Sequence, residues 1–524
     1  MNKRVEYLFF ILSVILHVKC DQNTKLDPVR DQLELYRQNV KGKQNFTTLF
    51  NGSPVDARDK ITLNNDNLFD NRFFVEAITH INRQNIPERI VHGRGAGAFG
   101  YFEVTNSIAN VCRADFLDTV GKKTPVAVRF SLTTYGGEGS DTAARVPRGF
   151  AIKFYTETGN FDIPGLNTPI FVLNDPIKFI PFRRTQFRNP ATNIRDSNMV
   201  WDYITTNPES ISVFLIILGD SGIPKGYRHM EGFGIHTYQV HNKKGEVFFL
   251  KWILTPDAGV ASLTDEEANK LNAADPDSFT RDLYEAIGCG KKVSWTVSVQ
   301  ILTKEDVKKA KIDVFDITVR LPTKLYPLVP VGKLVLNKNP LNYFSEIEQL
   351  AFCPGNLVRG IDGGVDKVFQ ARKFSYRDAQ MYRLGVNFNN INVNAPDFDH
   401  STYFRDGRAP TLNTGNDSPN YFENSFNGTI WDYEPKRPKL YKVKDKKPNN
   451  TAQATEIYNE MSKAEQGRLV TNIVNSLSLA ETFIQNKAVK LFTEVDPDLG
   501  KSVSNELNKI EKKSSCDGLF SDSK

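Results

Sequence analysis

RIVHGRGAGAFGYFEVT, residues 89–105, decides how the rest of the chain is read. Its Gly95-x-Gly97-x-x-Gly100 has the spacing that wraps a dinucleotide pyrophosphate, and Asp115 lies where a ribose-binding acid would sit. A phosphate loop of that kind must open into a helix, so that free N–H groups face the anion. Phe99, Tyr101, Phe102, Val104 and Thr105 follow instead, an aromatic and β-branched stretch that predicts a strand. The nucleotide reading therefore gives way, and the residue left to explain is His92.

Working outward, residues 101–105, 126–134, 150–156, 170–174, 234–241, 246–254 and 293–303 read as seven β segments, several joined by short turns such as Asn242-Lys243-Lys244-Gly245. So many strands in succession predict an antiparallel barrel within an α+β fold. Upstream, Asp27-Pro28 opens a short helical pattern carrying Leu33, Leu35 and Tyr36, and the chain to about residue 75 is polar and irregular, as in an arm. Downstream, 326–435 is poor in periodicity and rich in Pro, Asn and Gly, which predicts a long wrapping segment. Ser462-x-x-Glu465 is a capping box leading into Leu469, Val470, Ile473, Val474 and Leu477, the start of a helical C-terminus. The expected organisation is a leader over 1–20, an arm with the His92 segment over 21–92, a barrel over 93–325, a wrapping segment and linker over 326–448, and helices over 449–524.

The chain has 524 residues and a formal net charge of +6. Its one dense basic run, 436–447, is interrupted by Pro438 and reads as a solvated linker, so no nucleic-acid partner is expected. Lys3 and Arg4 followed by an apolar run from Tyr7 to Val18 and a small residue, Cys20, read as a cleaved secretory leader, with a signal anchor as the alternative. No later stretch reaches the length of a membrane span. Asn-x-Ser/Thr sequons at Asn45, Asn51, Asn416, Asn427 and Asn449 suit a secreted chain, although proline follows those of Asn51 and Asn416. The C-terminal Ser521-Asp522-Ser523-Lys524 lacks a peroxisomal Ser-Lys-Leu address. Cys112, Cys289, Cys353 and Cys516 form no CxxC pair and are assigned no chemistry.

Arg372-Lys373-Phe374-Ser375-Tyr376 sets a guanidinium and a phenol four residues apart, on one face if the segment is helical. A fixed cation beside a phenol favours its phenolate, which is a good ligand for ferric iron. At these residues the chain resembles the haem catalases of the small-subunit, clade-three type, from about residue 45 to 500. Ile81-x-Arg83-x4-Glu88-Arg89-x2-His92-x2-Gly95-Ala96-Gly97-Ala98 fits the family's active-site signature. Arg372-x-Phe374-Ser375-Tyr376-x-Asp378-Ala379-Gln380 fits its haem-ligand signature, except that Lys373 replaces an apolar or small residue. Residues 148–156 and 330–337 are also similar.

The resemblance implies an eight-stranded barrel, a haem b cofactor with Tyr376 as the iron ligand, hydrogen peroxide as substrate and a homotetramer. It makes His92 the distal base, with Ser131 fixing its tautomer and the neighbouring glycines letting backbone lie close against the haem. Arg372, His236 and Asp366 stand behind the tyrosine, and Arg89, Arg129 and Arg383 match the propionate clamps. Val91 and Phe171 fall at cofactor-binding positions, and Phe179 matches the ring over the porphyrin. Two positions depart from the family. Its Gly-Asn-Asn-Thr-Pro is Gly165-Leu166-Asn167-Thr168-Pro169 here, so Leu166 replaces the asparagine that hydrogen-bonds peroxide, and Asn167 is not expected to substitute because neighbours on an extended segment point to opposite faces. Its Arg-Asp-Pro-Arg-Gly is Arg145-Val146-Pro147-Arg148-Gly149, without the channel acid. Ser212, Ser221, Glu231 and Thr255 stand where many relatives bind NADPH, which makes that cofactor doubtful. The expected function is peroxide decomposition with reduced turnover. The alternatives are a secreted haem-binding protein with little catalase activity, or activity on organic or lipid hydroperoxides.

Overall fold

Alternation along a strand sends successive side chains to opposite faces, and this periodicity places the site on one side of a barrel and the core on the other. The computed structural model describes residues 28–42, 45–64, 66–133, 139–142, 145–398, 403–404, 406–407, 419–426, 431–443 and 449–518. The leader read over 1–20 and the sequons at Asn416 and Asn427 lie outside them. Contacts divide the chain between Glu88 and Arg89. The first unit holds helices α1 (Pro28–Val40) and α2 (Arg72–Ile81), separated by short 3-10 turns. Asn71 caps α2 by accepting from the Phe74 N–H at 2.9 Å.

Among its described residues the second unit contains ten strands: β1 (Gly95–Val104), β2 (Lys123–Leu132), β3 (Arg148–Thr156), β4 (Gly159–Leu166), β5 (Gly232–Phe233), β6 (Tyr238–His241), β7 (Val247–Pro256), β8 (Val293–Thr303), β9 (Leu328–Lys338) and β10 (Ile361–Gly364). Eight of them close an antiparallel barrel in the order β7-β5-β4-β3-β2-β1-β9-β8, with β8 returning to β7. Strand β6 pairs with β7, and β10 with β6. The fold is thus the expected α+β barrel, but its strands depart from the reading: only 238–241 of the segment read over 234–241 is a strand, and β10 was not foreseen. Residues 170–174 are not a strand, since the Phe171 N–H goes to the Ile317 carbonyl rather than to a ladder. Strand β4 is hidden in the sequence by Pro164 and Gly165. The supposed wrapping segment opens with β9, where Pro330 sits at a bulge opposite Val297 and Ser298, a position that tolerates a missing N–H.

The inward residues of β2–β4 are Val128, Phe130, Phe150, Ile152, Phe161 and Ile163, all fully buried with Trp252 and Trp295. Phe130 and Phe150 meet edge to face at 4.7 Å. The outward residues form rows across the register. Arg129, Ala151 and Pro164 make one, and Ser131, Gly149 and Leu166 the next. A third holds the fully buried Lys153–Asp162 pair at 2.8 Å, whose carboxylate also accepts from the Cys353 N–H and Asn356 Nδ2. Filling its lone pairs offsets the cost of burying the acid.

Helices pack around the barrel, those over Asp265–Ala274 and Ser278–Gly288 joining its inward cluster. In chain order they are α3 (Phe179–Thr185), α4 (Ser197–Thr206), α5 (Ile211–Leu218), α6 (Asp265–Ala274), α7 (Ser278–Gly288), α8 (Lys304–Lys309), α9 (Lys367–Leu384), α10 (Ala452–Glu460), α11 (Lys463–Leu477), α12 (Thr482–Val495) and α13 (Pro497–Gly518). The capping box at the start of α11 forms as read, Ser462 and Glu465 each accepting from the other's N–H. The C-terminal helices share one core with α4 and α5, in which Leu469, Ile473 and Leu499 pack with Trp201, Ile211 and Leu215. The basic run is only partly the solvated linker expected: Lys436, Lys439 and Lys442 are exposed, while Tyr441 donates its N–H to Gln239 Oε1 and its ring packs on Phe249. Cys112 and Cys353 are buried free thiols, and Cys289 is disulfide-bonded.

Candidate functional site

Gly95, Gly97 and Gly100 of the opening stretch are part of β1, and a side chain at any of them would strike a neighbouring strand. A Cβ at Gly95 would lie 2.2 Å from the Phe130 carbonyl oxygen, and one at Gly100 would lie 1.9 Å from that of Val335. Their role is close strand approach, so the expectation that they lie against a haem is corrected. The glycine that serves the site is Gly149. A Cβ there would sit 2.4 Å from Ser131 Oγ and 2.8 Å from His92 Nδ1. With no side chain at the centre of the Ser131–Gly149–Leu166 row, a hole opens on the barrel wall, and the imidazole of His92 fills its edge.

His92 Nδ1 stands 2.9 Å from Ser131 Oγ. Its backbone is held at φ +66°, in the left-handed region that is costly for a side-chain-bearing residue. Arg129 anchors this turn by donating to the carbonyls of His92 and Gly93, each at 2.7 Å. Burial first, then the guanidiniums of Arg129, Arg372, Arg89 and Arg183, push the imidazole pKa down to about 3. The ring is therefore a neutral base, with Nε2 free to exchange a proton on the cavity side.

Helix α9 supplies the opposite wall. Arg372, Tyr376, Ala379, Gln380 and Arg383 recur at helical spacing along one face, and all line the same cavity. Arg372 donates to Tyr376 Oη at 2.8 Å, to the Pro164 carbonyl at 2.7 Å and to His236 Nε2 at 2.7 Å. A guanidinium has only donors, so His236 Nε2 is the acceptor and its Nδ1–H donates to Asp366 Oδ2 at 2.8 Å. Burial, aided by Arg372, holds His236 below its ordinary pKa and neutral, against the pull of Asp366. Burial works to raise the Asp366 pKa, yet His236 and the Phe369 N–H keep it below the usual carboxylate value. Asp366 also caps α9 through that N–H, so one acid orients the relay and starts the helix that carries it.

Between these walls lies a mostly apolar cavity of about 610 Å³. It brings together His92, Ser131, Leu166, Arg89, Val91, Arg129, Phe171, Phe179, His236, Arg372, Tyr376 and Arg383, while Asp366 stands behind His236. Ser212, Ser221, Glu231 and Thr255 do not line it. At one side Arg89 and Arg383 share Glu348, which sequence reading missed: Arg89 Nη1 donates to both carboxylate oxygens at 3.0 Å, and Arg383 Nη2 to one at 2.7 Å. Arg89 is driven well below its ordinary pKa by burial and then by the charges of Arg129 and Arg383. Arg129 Nε is buried without a partner. Among the described residues the guanidiniums of Arg89, Arg129 and Arg383 gather at this side of the cavity, and buried positive charge favours an anionic partner. A flat apolar cofactor bearing carboxylates fits that chemistry, with a phenol oxygen on one face and a neutral imidazole on the other.

A family model described as catalase matches residues 48–428. The chain belongs to the catalase family, the monofunctional haem enzymes. A second model, described as catalase-related immune-responsive, matches residues 444–507, within which α10–α12 lie. The chain is 42% identical over 497 residues to a catalase of Drosophila melanogaster, covering 92% of this chain and 98% of that one. It is 44% identical over 475 residues to a catalase of Methanosarcina barkeri, covering 88% and 94%. Catalase A from Saccharomyces cerevisiae superposes with a TM-score of 0.83 at 37% identity, covering 88% of this chain and 99% of that structure.

Within this catalase scaffold Gly149 gives the site its first test. Gly149→Ala is expected to retain the cofactor but lower peroxide turnover by about a hundredfold, because displacing a catalytic group by an ångström costs on that order. Oxygen release per haem measures it, and unchanged turnover would show that the His92 position is not set by this contact.

Proposed function

We propose that the protein holds haem b between His92 and Tyr376 and decomposes two molecules of hydrogen peroxide to two of water and one of oxygen. The observation that carries this reading is the chain Asp366–His236–Arg372–Tyr376 facing a neutral His92–Ser131 pair across one cavity. Bound haem supplies the redox-active iron at which the peroxide O–O bond is cleaved. Tyr376 would hold that iron, and Arg372, fixed by His236, stabilises negative charge on the phenol oxygen. Arg89, Arg129 and Arg383 would hold the propionates, and Val91, Phe171 and Phe179 exclude water from the apolar faces. His92 Nε2 takes the proton from one peroxide oxygen and returns it to the other, which leaves as water. Leu166 cannot donate to the breaking bond as an amide would, which supports a reduced turnover. A haem-binding chain with little turnover is the second reading, favoured by the same residue.

Tyr376→Phe is expected to lose stable haem binding, and His92→Ala to keep the haem while oxygen release falls by about a hundred- to ten-thousandfold. A full ferric spectrum with unchanged axial ligation in Tyr376→Phe would contradict the proximal assignment, and oxygen release in the starting protein as low as in His92→Ala would favour the second reading.

A secretory destination is part of the proposal. What supports it is the leader pattern over 1–20, the exposure of Asn45 and Asn449, and the disulfide at Cys289, a bond that persists in oxidising compartments. Secreted material from animal cells is expected to begin near Asp21 and to lose mass on glycosidase treatment. An uncleaved, unglycosylated chain retained in the cell would contradict it.

A further inference from the structure

Three hydroxyls that line the cavity are engaged within the protein. Ser131 Oγ is on His92 Nδ1, Thr133 Oγ1 donates to the Pro147 carbonyl at 2.9 Å, and Thr168 Oγ1 to the Ile170 carbonyl at 3.0 Å. Asn167 does not line the cavity and accepts from the Arg148 N–H at 2.6 Å, so it does not replace the amide that Leu166 displaces. Register places Leu166 two strands from Ser131, roughly 10 Å away at ~4.8 Å per strand, across the gap at Gly149. Across that gap from His92, Leu166 gives the cavity an apolar wall.

That wall continues outward. Val146, Pro147, Ile217 and Leu218 line the same cavity, and Arg145 ties their two segments together by donating to the Gly219 carbonyl at 2.6 Å. The Arg145 side chain is itself held by Asp265. Hydrogen peroxide carries two hydroxyls, and the Leu166 side of the cavity partners neither. A buried hydroxyl without a partner weakens binding by roughly ten- to a hundredfold. An alkyl hydroperoxide has one hydroxyl, for His92, and an alkyl group that packs on Leu166 and Val146.

We propose that this site takes alkyl hydroperoxides as its favoured oxidant, with hydrogen peroxide as the reductant; the proposal rests on the haem catalase reading above. The RO–OH bond breaks. His92 receives the hydroperoxide proton and returns it to the alkyl-bearing oxygen, which leaves as the alcohol. The terminal oxygen leaves as water with two hydrogens and two electrons from hydrogen peroxide, which is released as oxygen. The net reaction, ROOH + H2O2 → ROH + H2O + O2, balances in atoms and electrons.

The experiment supplies haem-replete protein with n-hexyl hydroperoxide and hydrogen peroxide at equal concentration and counts hexanol against oxygen. At least nine hexanols per ten oxygens are expected, falling below one per ten in Leu166→Asn. Calorimetric binding of 1-hexanol gives a readout without turnover and is expected to weaken about tenfold in Leu166→Asn, with Leu166→Thr as a second variant should the first fold poorly. Oxygen from hydrogen peroxide with hexanol below one per ten overturns the inference and leaves the catalase reading standing. If neither peroxide is consumed, the catalase reading fails, and hexanol binding indifferent to both substitutions overturns the inference as well.

Discussion

A guanidinium buried in the middle of a protein must be matched on each side, and Arg372 is the one on which this structure turns. Its donors reach the phenol of Tyr376, the imidazole of His236 and the Pro164 carbonyl, so one side chain joins helix α9 to strand β4 and to the segment between β5 and β6. Burial alone would lower its pKa, and Tyr376, by charge and hydrogen bond, raises it above the ordinary value. Tyr376 is thereby fixed in direction, and the neutral His236 is fixed in tautomer by Asp366 behind it.

The two imidazoles of the site both depend on strained backbone. His92 lies at φ +66°, and Ile235, the residue before His236, at φ +65°, where a branched side chain is rarely found. The His236 N–H bonds back to the Gly234 carbonyl at 2.7 Å, closing a three-residue turn of the strained kind. Such conformations cost on the order of 1–3 kcal/mol each and persist only where their surroundings over-determine them. Here Arg129 clamps the first, and the His236 ring, bonded at both nitrogens, holds the second.

Much of this was legible in the residues. The Arg372–Tyr376 spacing, the strand character after Gly100 and the capping box at Ser462 each carry a local chemical meaning that survives folding, whereas Leu166 stood out only by the family resemblance. What escaped was relational. Strand β4 is a strand because β3 and β5 flank it, although Pro164 and Gly165 argue otherwise alone. Glu348 looks like any surface acid until Arg89 and Arg383 converge on it. Gly149 is one glycine among many until Ser131 and His92 occupy the space its side chain would need. The glycines of residues 95–100 misled twice, because their spacing imitates a phosphate loop and their proximity to His92 imitates a cofactor contact, while their measured neighbours are adjacent strands and Ile347.

Resonance Raman spectroscopy of the ferric haem protein tests the central claim most directly, because phenolate ring modes enhanced through iron report both the ligand and its hydrogen bond. The account predicts a tyrosinate signature in the native chain that shifts in Arg372→Met, where the donor to the phenol oxygen is gone. A histidine or water ligand in the native chain, or a tyrosinate signature indifferent to the loss of Arg372, would contradict it.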